Sequence, residues 1–325
     1  MKNTFFTKRN LLILIIASLL VAGGIYVYSM TSKINRVDID RDDVTNFDKV
    51  EKTDEKLEKL KRDSKDVTLV ALIGSDYSEY YETSSSDATM ILAINKRTNE
   101  IKLCSLMRDI YLDLPEGGKM NLNYTILDGG PAALLKTINY NFDLNIDKFV
   151  QVDLERLPKI IDALGGVEIE ITEEELQYIN GYIDHINKNN GTETEHITSA
   201  GLRLLDGTQA SAYSRIRYTA GRDFKRTERQ RDVLNALFVK FKDISFTELP
   251  ALINEILPLV TTNLTNTEII TIAKDGLSMG LSSLEQGRFP SDANIINAEF
   301  TDMYHMNIDI EATAEELYNF VFSVE

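Results

Sequence analysis

From Leu11 to Met30 the chain runs for twenty residues without a charge, rich in leucine, isoleucine and valine. At about 1.5 Å of helical rise per residue such a run spans roughly 30 Å, the thickness of a bilayer's hydrocarbon core. Lys2, Lys8 and Arg9 precede it with no acid nearby, which predicts a cytoplasmic N-terminus and an extracytoplasmic remainder. A cleaved signal peptide would have a shorter apolar region and a small-residue cleavage site. Ala22-Gly23-Gly24 is the nearest approximation, and the apolar run continues past it. The expected layout is a cytoplasmic tail (1–10), an uncleaved transmembrane anchor (11–31) and a portion folded outside.

Residues 32–66 are dominated by Lys, Arg, Asp and Glu, with almost no large apolar side chain between Phe47 and Val67. Such a composition reads as a charged spacer with short helical pieces, for example Asp54–Arg62, that lifts the remaining chain off the membrane. Residues 67–325 suffice for one large domain or a domain plus extension, with residues 243–325 reading as a largely helical tail. The single cysteine, Cys104, lies in an apolar strand and excludes both an internal disulfide and a cysteine-based metal site. His185, His196 and His305 are scattered, and no G-x-S-x-G elbow is present, which argues against triad chemistry.

Strand signals appear at Val67–Ile73, Thr89–Ile94 and Ile101–Leu106, the last two joined by a polar turn at Asn95–Glu100. Helices are expected at Pro131–Ile138 and at Leu154–Leu164, the latter capped by Asp153 and stopped by Gly165-Gly166. Strands at Lys148–Val152 and Val167–Ile171 flank that helix. Helical segments near Phe246–Leu257 and Thr267–Leu277, a looser stretch to Met306 and a helix at Ala312–Phe322 complete the chain. This interleaving predicts an α/β fold, a layered α/β/α sandwich around a mixed sheet.

The chain carries a formal charge of -16, yet Ser214–Arg231 holds six arginines and Lys225 against Asp223 and Glu228. Arginine presents a planar fork that grips phosphate oxygens two at a time. Arg215 and Arg217 are two apart in a segment that reads as a strand, Ala212–Tyr218, and so share a face. Arg226, Arg229 and Gln230 share a face of the helix that continues through Phe241, with Gly221 allowing the turn between. A solvated basic helix is the competing reading.

Acidic residues supply a second cluster. Asp76 ends the first strand, and Asp87 stands just before the second. Ligands of open α/β sheets bind at strand ends. Mg²⁺ takes one or two protein carboxylates and completes its shell with water and phosphate. Arg108-Asp109 ends the third strand, and Lys119 comes after a Gly-Gly loop. Acids for a metal and arginines for phosphate, without thiol or histidine, make the inventory of phosphoryl transfer.

In order along the chain, Leu72-Ile73-Gly74-Ser75-Asp76, Ser86-Asp87 with Thr89-Met90, and Ser105-Leu106-Met107-Arg108-Asp109 resemble the LytR–CpsA–Psr family. So do Lys119-Met120-Asn121, Gly129-Gly130-Pro131, Asp162 through Val167, Leu205-Asp206-Gly207, and Arg215-x-Arg217 through Asp223-Phe224-x-Arg226-x-x-Arg229-Gln230. The resemblance implies a membrane-anchored transferase with an apolar groove for a polyprenyl chain. It implies that an anionic glycopolymer, teichoic acid or capsular polysaccharide, passes from a polyprenyl-pyrophosphate carrier to a peptidoglycan hydroxyl.

Carried over residue by residue, Asp76 and Asp87 become the metal ligands, for Mg²⁺ or Mn²⁺. Arg108, Arg215, Arg217, Arg226, Arg229 and Gln230 become pyrophosphate ligands, with Lys119 beside them. Arg108 and Arg217 are assigned to the catalytic step, and Asp223 is the candidate base or, equally, a partner that orients Arg226. One departure matters: the family usually has arginine where this chain has Ser85. A non-catalytic polyprenyl-phosphate binder, a pyrophosphatase and a membrane-bound DNA-binding regulator are the rivals. The acidic balance and the expected outward location disfavour nucleic acid.

Overall fold

Residues 67–73 are apolar almost throughout, the composition of a strand covered on both faces. The structure, a computed structural model, describes residues 33–45, 54–78, 83–242, 244, 249–279, 284–300 and 304–323. The run Leu11–Met30 and residues 246–248 of the expected Phe246–Leu257 helix lie outside them. Among the described residues, no helix is long and apolar enough to cross a membrane.

The chain starts with β1 (Asn35–Arg36), α1 (Arg41–Thr45) and α2 (Asp54–Ser64). Then come β2 (Val67–Ser78), β3 (Thr83–Asn95), β4 (Glu100–Leu106), β5 (Tyr111–Asp113), β6 (Lys119–Asn121), a 3-10 segment at Leu122–Asp128 and α3 (Gly130–Phe142). The middle holds β7 (Phe149–Asp153), α4 (Leu157–Ala163), β8 (Val167–Ile171), α5 (Glu173–Asn190), β9 (Gly201–Leu205), α6 (Gly207–Arg215) and α7 (Arg222–Lys242). The remainder is α8 (Leu249–Ile256), β10 (Val260–Thr262), α9 (Asn266–Ser278), β11 (Glu285–Phe289), β12 (Ile295–Phe300), β13 (Tyr304–Ile308) and α10 (Ile310–Phe322).

Seven strands form one mixed sheet in the order β1-β10-β7-β2-β3-β4-β11. The β2–β3–β4 meander is antiparallel, while β7 lies parallel to β2 and β11 parallel to β4. On one face Ile73, Ile91 and Cys104 pack against Leu135, Phe142, Leu317 and Phe322 of α3 and α10. On the other, Met90, Ile94 and Leu103 pack against Leu234 and Phe238 of α7 and Ile272 of α9. The expected α/β/α layering is therefore present. Burial pushes the Cys104 thiol up to about 12, so it stays protonated and inert.

A satellite core gathers α4, the β8–β9 hairpin, α5 and α6 around Ile179, Ile183 and Ile186 of α5. Helix α5 is absent from the sequence reading, although Thr172 and Glu175 form a capping box at its start and Gly191 closes its end.

The expected strand Ala212–Tyr218 is a helix as far as Arg215, and only Ile216 onward is extended. The cause lies upstream. Asp206 and Gln209 make a capping box that starts α6, and the Gly207 amide donates to Asp162 at 2.7 Å. A Cβ on Gly207 would lie 1.9 Å from the Pro158 carbonyl oxygen, so only glycine permits this approach.

The stretch before Met306, expected to be loose, contributes β11 to the central sheet and the β12–β13 hairpin beside it. Helix α4 begins at Leu157, later than expected, and Asp153 caps no helix; its carboxylate accepts the Glu155 amide at 2.9 Å.

The charged segment before Val67 does not stand clear of the domain where it is described. Strand β1 pairs in parallel with β10, Val44 is buried, and Tyr318 donates to Asp63 at 2.9 Å. A few apolar and ion-pairing anchors suffice for docking where a core of its own would be impossible.

Candidate active site

Antiparallel β2 and β3 run in register until Gly74 opposite Ala88, and then Ser75 faces Ser86. The residue skipped is Asp87. It is the extra residue of a β-bulge, a device that re-aims a side chain next to a site. Asp76 comes directly after and sits opposite Ser85. The bulge thus turns two sequence-distant aspartates toward one strand end.

Cations meet Asp87 from two other elements. Arg108, just past β4, donates from Nη1 to Asp87 Oδ1 at 2.7 Å, and its Nε lies 3.3 Å from Asp109. Arg217, on the extended segment after α6, places Nη2 3.6 Å from Asp87 Oδ2 and Nε 3.8 Å from Asp223. Asp223 in turn holds Arg226 at 3.0 Å. The result is an alternating chain: Asp109, Arg108, Asp87, Arg217, Asp223, Arg226.

Burial opposes the charge on Arg108, but Asp87, Asp109 and Asp223 more than offset it and hold the guanidinium protonated. Burial also pushes the carboxyls of Asp109 and Asp223 up, against the pull of Arg108.

Asp76 differs from Asp87 in having no ion-pair partner among the described residues. Burial raises its carboxyl, Arg215 lowers it, and Asp87 and Asp153 raise it further. Asp76 therefore feels the charge of two other carboxylates at this strand end. Asp153, at the end of β7 opposite Ser75, was missed by sequence reasoning as a site residue. No cluster of three or more potential metal-ligating side chains occurs among the described residues.

The two arginines of Arg215-x-Arg217 do not share a strand face as expected. Arg215 ends α6, donates to the Leu154 carbonyl at 3.3 Å and acts on Asp76, whereas Arg217 serves Asp87 and Asp223. They approach the aspartates from different backbone elements. Arg226, Arg229 and Gln230 also part company. Arg226 stays at Asp223, and Gln230 lines an apolar pocket.

Arg229 is only 4% exposed and is spent elsewhere. It donates to Glu175 at 2.7 Å, the Ile216 carbonyl at 3.0 Å and Thr219 at 2.7 Å. Its role here is to hold the segment that carries Arg217, rather than to present a free fork. Lys119 likewise lies outside the ion-pair chain, 3.2 Å from Asp113 across the β5–β6 hairpin.

The pocket beside the aspartates has a volume of about 140 Å³. Leu72 and Gly74 of β2, Ala88 and Met90 of β3 and Val152 of β7 form its floor, and Val233 and Leu234 of α7 its roof. Its lining is apolar apart from Ser214 and Gln230, which suits an apolar ligand. Gly74 is two residues from Asp76, and Ala88 is next to Asp87, so the apolar lining lies within two residues of both aspartates along their strands.

The profile of the LytR_cpsA_psr family matches residues 25–317. The chain belongs to that family. It is 30% identical over 161 residues to the polyisoprenyl-teichoic acid--peptidoglycan teichoic acid transferase TagU of Enterococcus faecalis, covering 49% of this chain and 48% of that protein. It is also 30% identical over 203 residues to the regulatory protein MsrR of Staphylococcus aureus, covering 61% of this chain and 56% of that one. The chain thus spans about half the length of these relatives. Among solved family structures, YwtF (TagT) with bound octaprenyl pyrophosphate lipid shares the fold, with a TM-score of 0.59, 22% identity and coverage of 81% of this chain and 92% of that one.

Proposed function

We propose that this member is a membrane-anchored phosphotransferase. It moves an anionic glycopolymer, teichoic acid or capsular polysaccharide, from a polyprenyl-pyrophosphate carrier to a peptidoglycan hydroxyl. One observation carries the reading: an apolar pocket is lined by strand residues that lie one or two positions from the aspartates of an arginine–aspartate cluster. A polyprenyl pyrophosphate needs that junction of apolar and phosphate-binding surfaces, and the names of the enterococcal and TagT relatives agree with it.

In the proposed step, the acceptor oxygen attacks the phosphorus that bears the polymer. The bond from that phosphorus to the polyprenyl phosphate breaks, and polyprenyl phosphate leaves. Arg108, Arg215 and Arg217 neutralise charge on the phosphates, and Arg226 holds Asp223 in place. Asp223 receives the acceptor proton. Asp76 suits a Mg²⁺ or Mn²⁺ ion because it is a half-buried carboxylate with carboxylate neighbours and no cation paired to it among the described residues. Asp76 with one oxygen of Asp87 would hold such an ion, the phosphates completing its shell. When bound, the ion supplies charge neutralisation at the pyrophosphate.

The regulator reading fits less well. Arg226, Arg229 and Arg231 of α7 are buried and engaged within the protein instead of lining an open face for a phosphate backbone.

The test is full-length protein in membrane with lipid-linked polymer, peptidoglycan and Mg²⁺. Polymer-linked peptidoglycan with released polyprenyl phosphate is expected. Bound lipid without product would favour a non-catalytic binder, and polymer phosphate released to water would favour a pyrophosphatase.

A further inference from the structure

The β12–β13 hairpin reaches the charged cluster from the side of the sheet away from the apolar pocket. Its Met306 and Ile308 pack in the core shared with α3 and α10, whereas the pocket lies under α7. The hairpin is pinned at the strand end. The Met306 amide donates to the Asp109 carbonyl at 2.8 Å, and Asn121 donates to the Tyr304 carbonyl at 2.8 Å. The His305 ring packs on Tyr111 at 4.3 Å and contacts Asn121 at 2.7 Å. These contacts hold Tyr304 beside Arg108–Asp109 while the residue remains 42% exposed.

We infer that Tyr304, with the carboxylates of Asp109 and Asp223, forms the binding corner for the acceptor, a neutral polyhydroxylated glycan. The inference rests on the proposed transfer reading. Three features choose this ligand class. Two carboxylates accept hydrogen bonds from sugar hydroxyls. A tyrosine ring offers an apolar face to pyranose C–H groups and a hydroxyl at its tip. Displacement at phosphorus also needs attacking and leaving oxygens roughly in line, so a lipid seated in the pocket under α7 calls for an acceptor from the opposite side. Burial and then the fields of Asp109 and Asp223 push the Tyr304 phenol up, which agrees with its hydroxyl lying within electrostatic reach of both.

Tyr304→Phe and Tyr304→Ala in the full-length protein test this with two readouts. One is direct binding of a soluble, uncharged peptidoglycan glycan fragment; the other is the acceptor KM for transfer. Removing the hydroxyl should weaken both about three- to tenfold, and removing the ring at least about tenfold, with affinity for polyprenyl pyrophosphate unchanged. Wild-type glycan affinity in both variants overturns the inference, whatever the transfer rate. Tyr304-dependent glycan binding without any transfer by the wild type upholds the corner and overturns the transferase reading. No glycan binding by the wild type overturns the corner.

Discussion

Arg229 Nε sits 2.7 Å from Glu175 Oε1, and both residues are less than a tenth exposed. The pair joins α7 to the start of α5, and the same guanidinium holds the Ile216 carbonyl and Thr219. Breaking a buried pair strands a charge and costs about 3–5 kcal/mol. Arg229→Ala should therefore lose stability on that scale in chemical denaturation. Arg217→Ala, at a half-exposed position, should unfold within about 0.5 kcal/mol of wild type yet lose transfer. Equal denaturation midpoints for the two variants would contradict this division of labour.

Ser85 stands directly across from Asp76 on the next strand, so side chains at these two positions share a face of the sheet. An arginine at this position would extend past Asp76 toward the proposed pyrophosphate. Ser85→Arg should tighten polyprenyl-pyrophosphate binding by about tenfold, the lower end expected for one charge-assisted hydrogen bond. Titration of the lipid against wild type and variant decides it, and an unchanged affinity places the phosphate elsewhere.

Much of the fold could be read from the sequence. The meander, β7, β8, α3 and the closing helix have strong apolar patterns of their own. Strand β11, Glu-Gln-Gly-Arg-Phe, has no such pattern, and only pairing with β4 makes it a strand. At the candidate site, Asp76, Asp87, Arg108, Arg215, Arg217 and Asp223 were picked out from motifs, and the structure brings Asp87, Arg108, Arg217 and Asp223 into one ion-pair chain. How the arginines divide was not legible. Charge counting cannot tell that Arg229 meets a glutamate from another helix, or that Arg231 is consumed by Ser105 at 2.9 Å. Nor does a sequence announce the bulge that turns Asp87, or the distant hairpin that delivers Tyr304.

Acid should loosen the N-terminal segment first. Arg41 grips Glu268 with two bonds, at 2.6 and 2.9 Å, and that hydrogen bonding holds the Glu268 carboxyl down at about 2. A carboxyl depressed in the folded state stabilises fully above its unfolded value, about 4.3, and the contribution is lost as pH falls from there toward 2. Hydrogen exchange at β1 and α1 should therefore accelerate within that window, ahead of β2–β4. Glu268→Gln should remove the pH dependence and leave exchange fast at pH 7. Exchange at α1 that is insensitive to both changes would show that the pair does not secure the segment.

Metal removal separates the two aspartates. Asp87 holds Arg108 on Oδ1 at 2.7 Å and has Arg217 3.6 Å from Oδ2, so losing it disorders the arginines as well as the proposed ion site. Asp76 has no such pair among the described residues, and its half-buried carboxyl is held up by burial. Chelation should abolish transfer by the wild type, with Mg²⁺ or Mn²⁺ restoring it. Asp76→Asn should raise the Mg²⁺ concentration for half-maximal transfer at least about tenfold, equivalent to about 1.4 kcal/mol, while thermal stability holds or rises because an unpaired charge is removed. Asp87→Asn should lower the maximal rate at any Mg²⁺ concentration, since the added ion cannot reposition Arg108 and Arg217. Transfer that survives chelation would remove the ion from the mechanism and leave the arginines to neutralise the pyrophosphate alone.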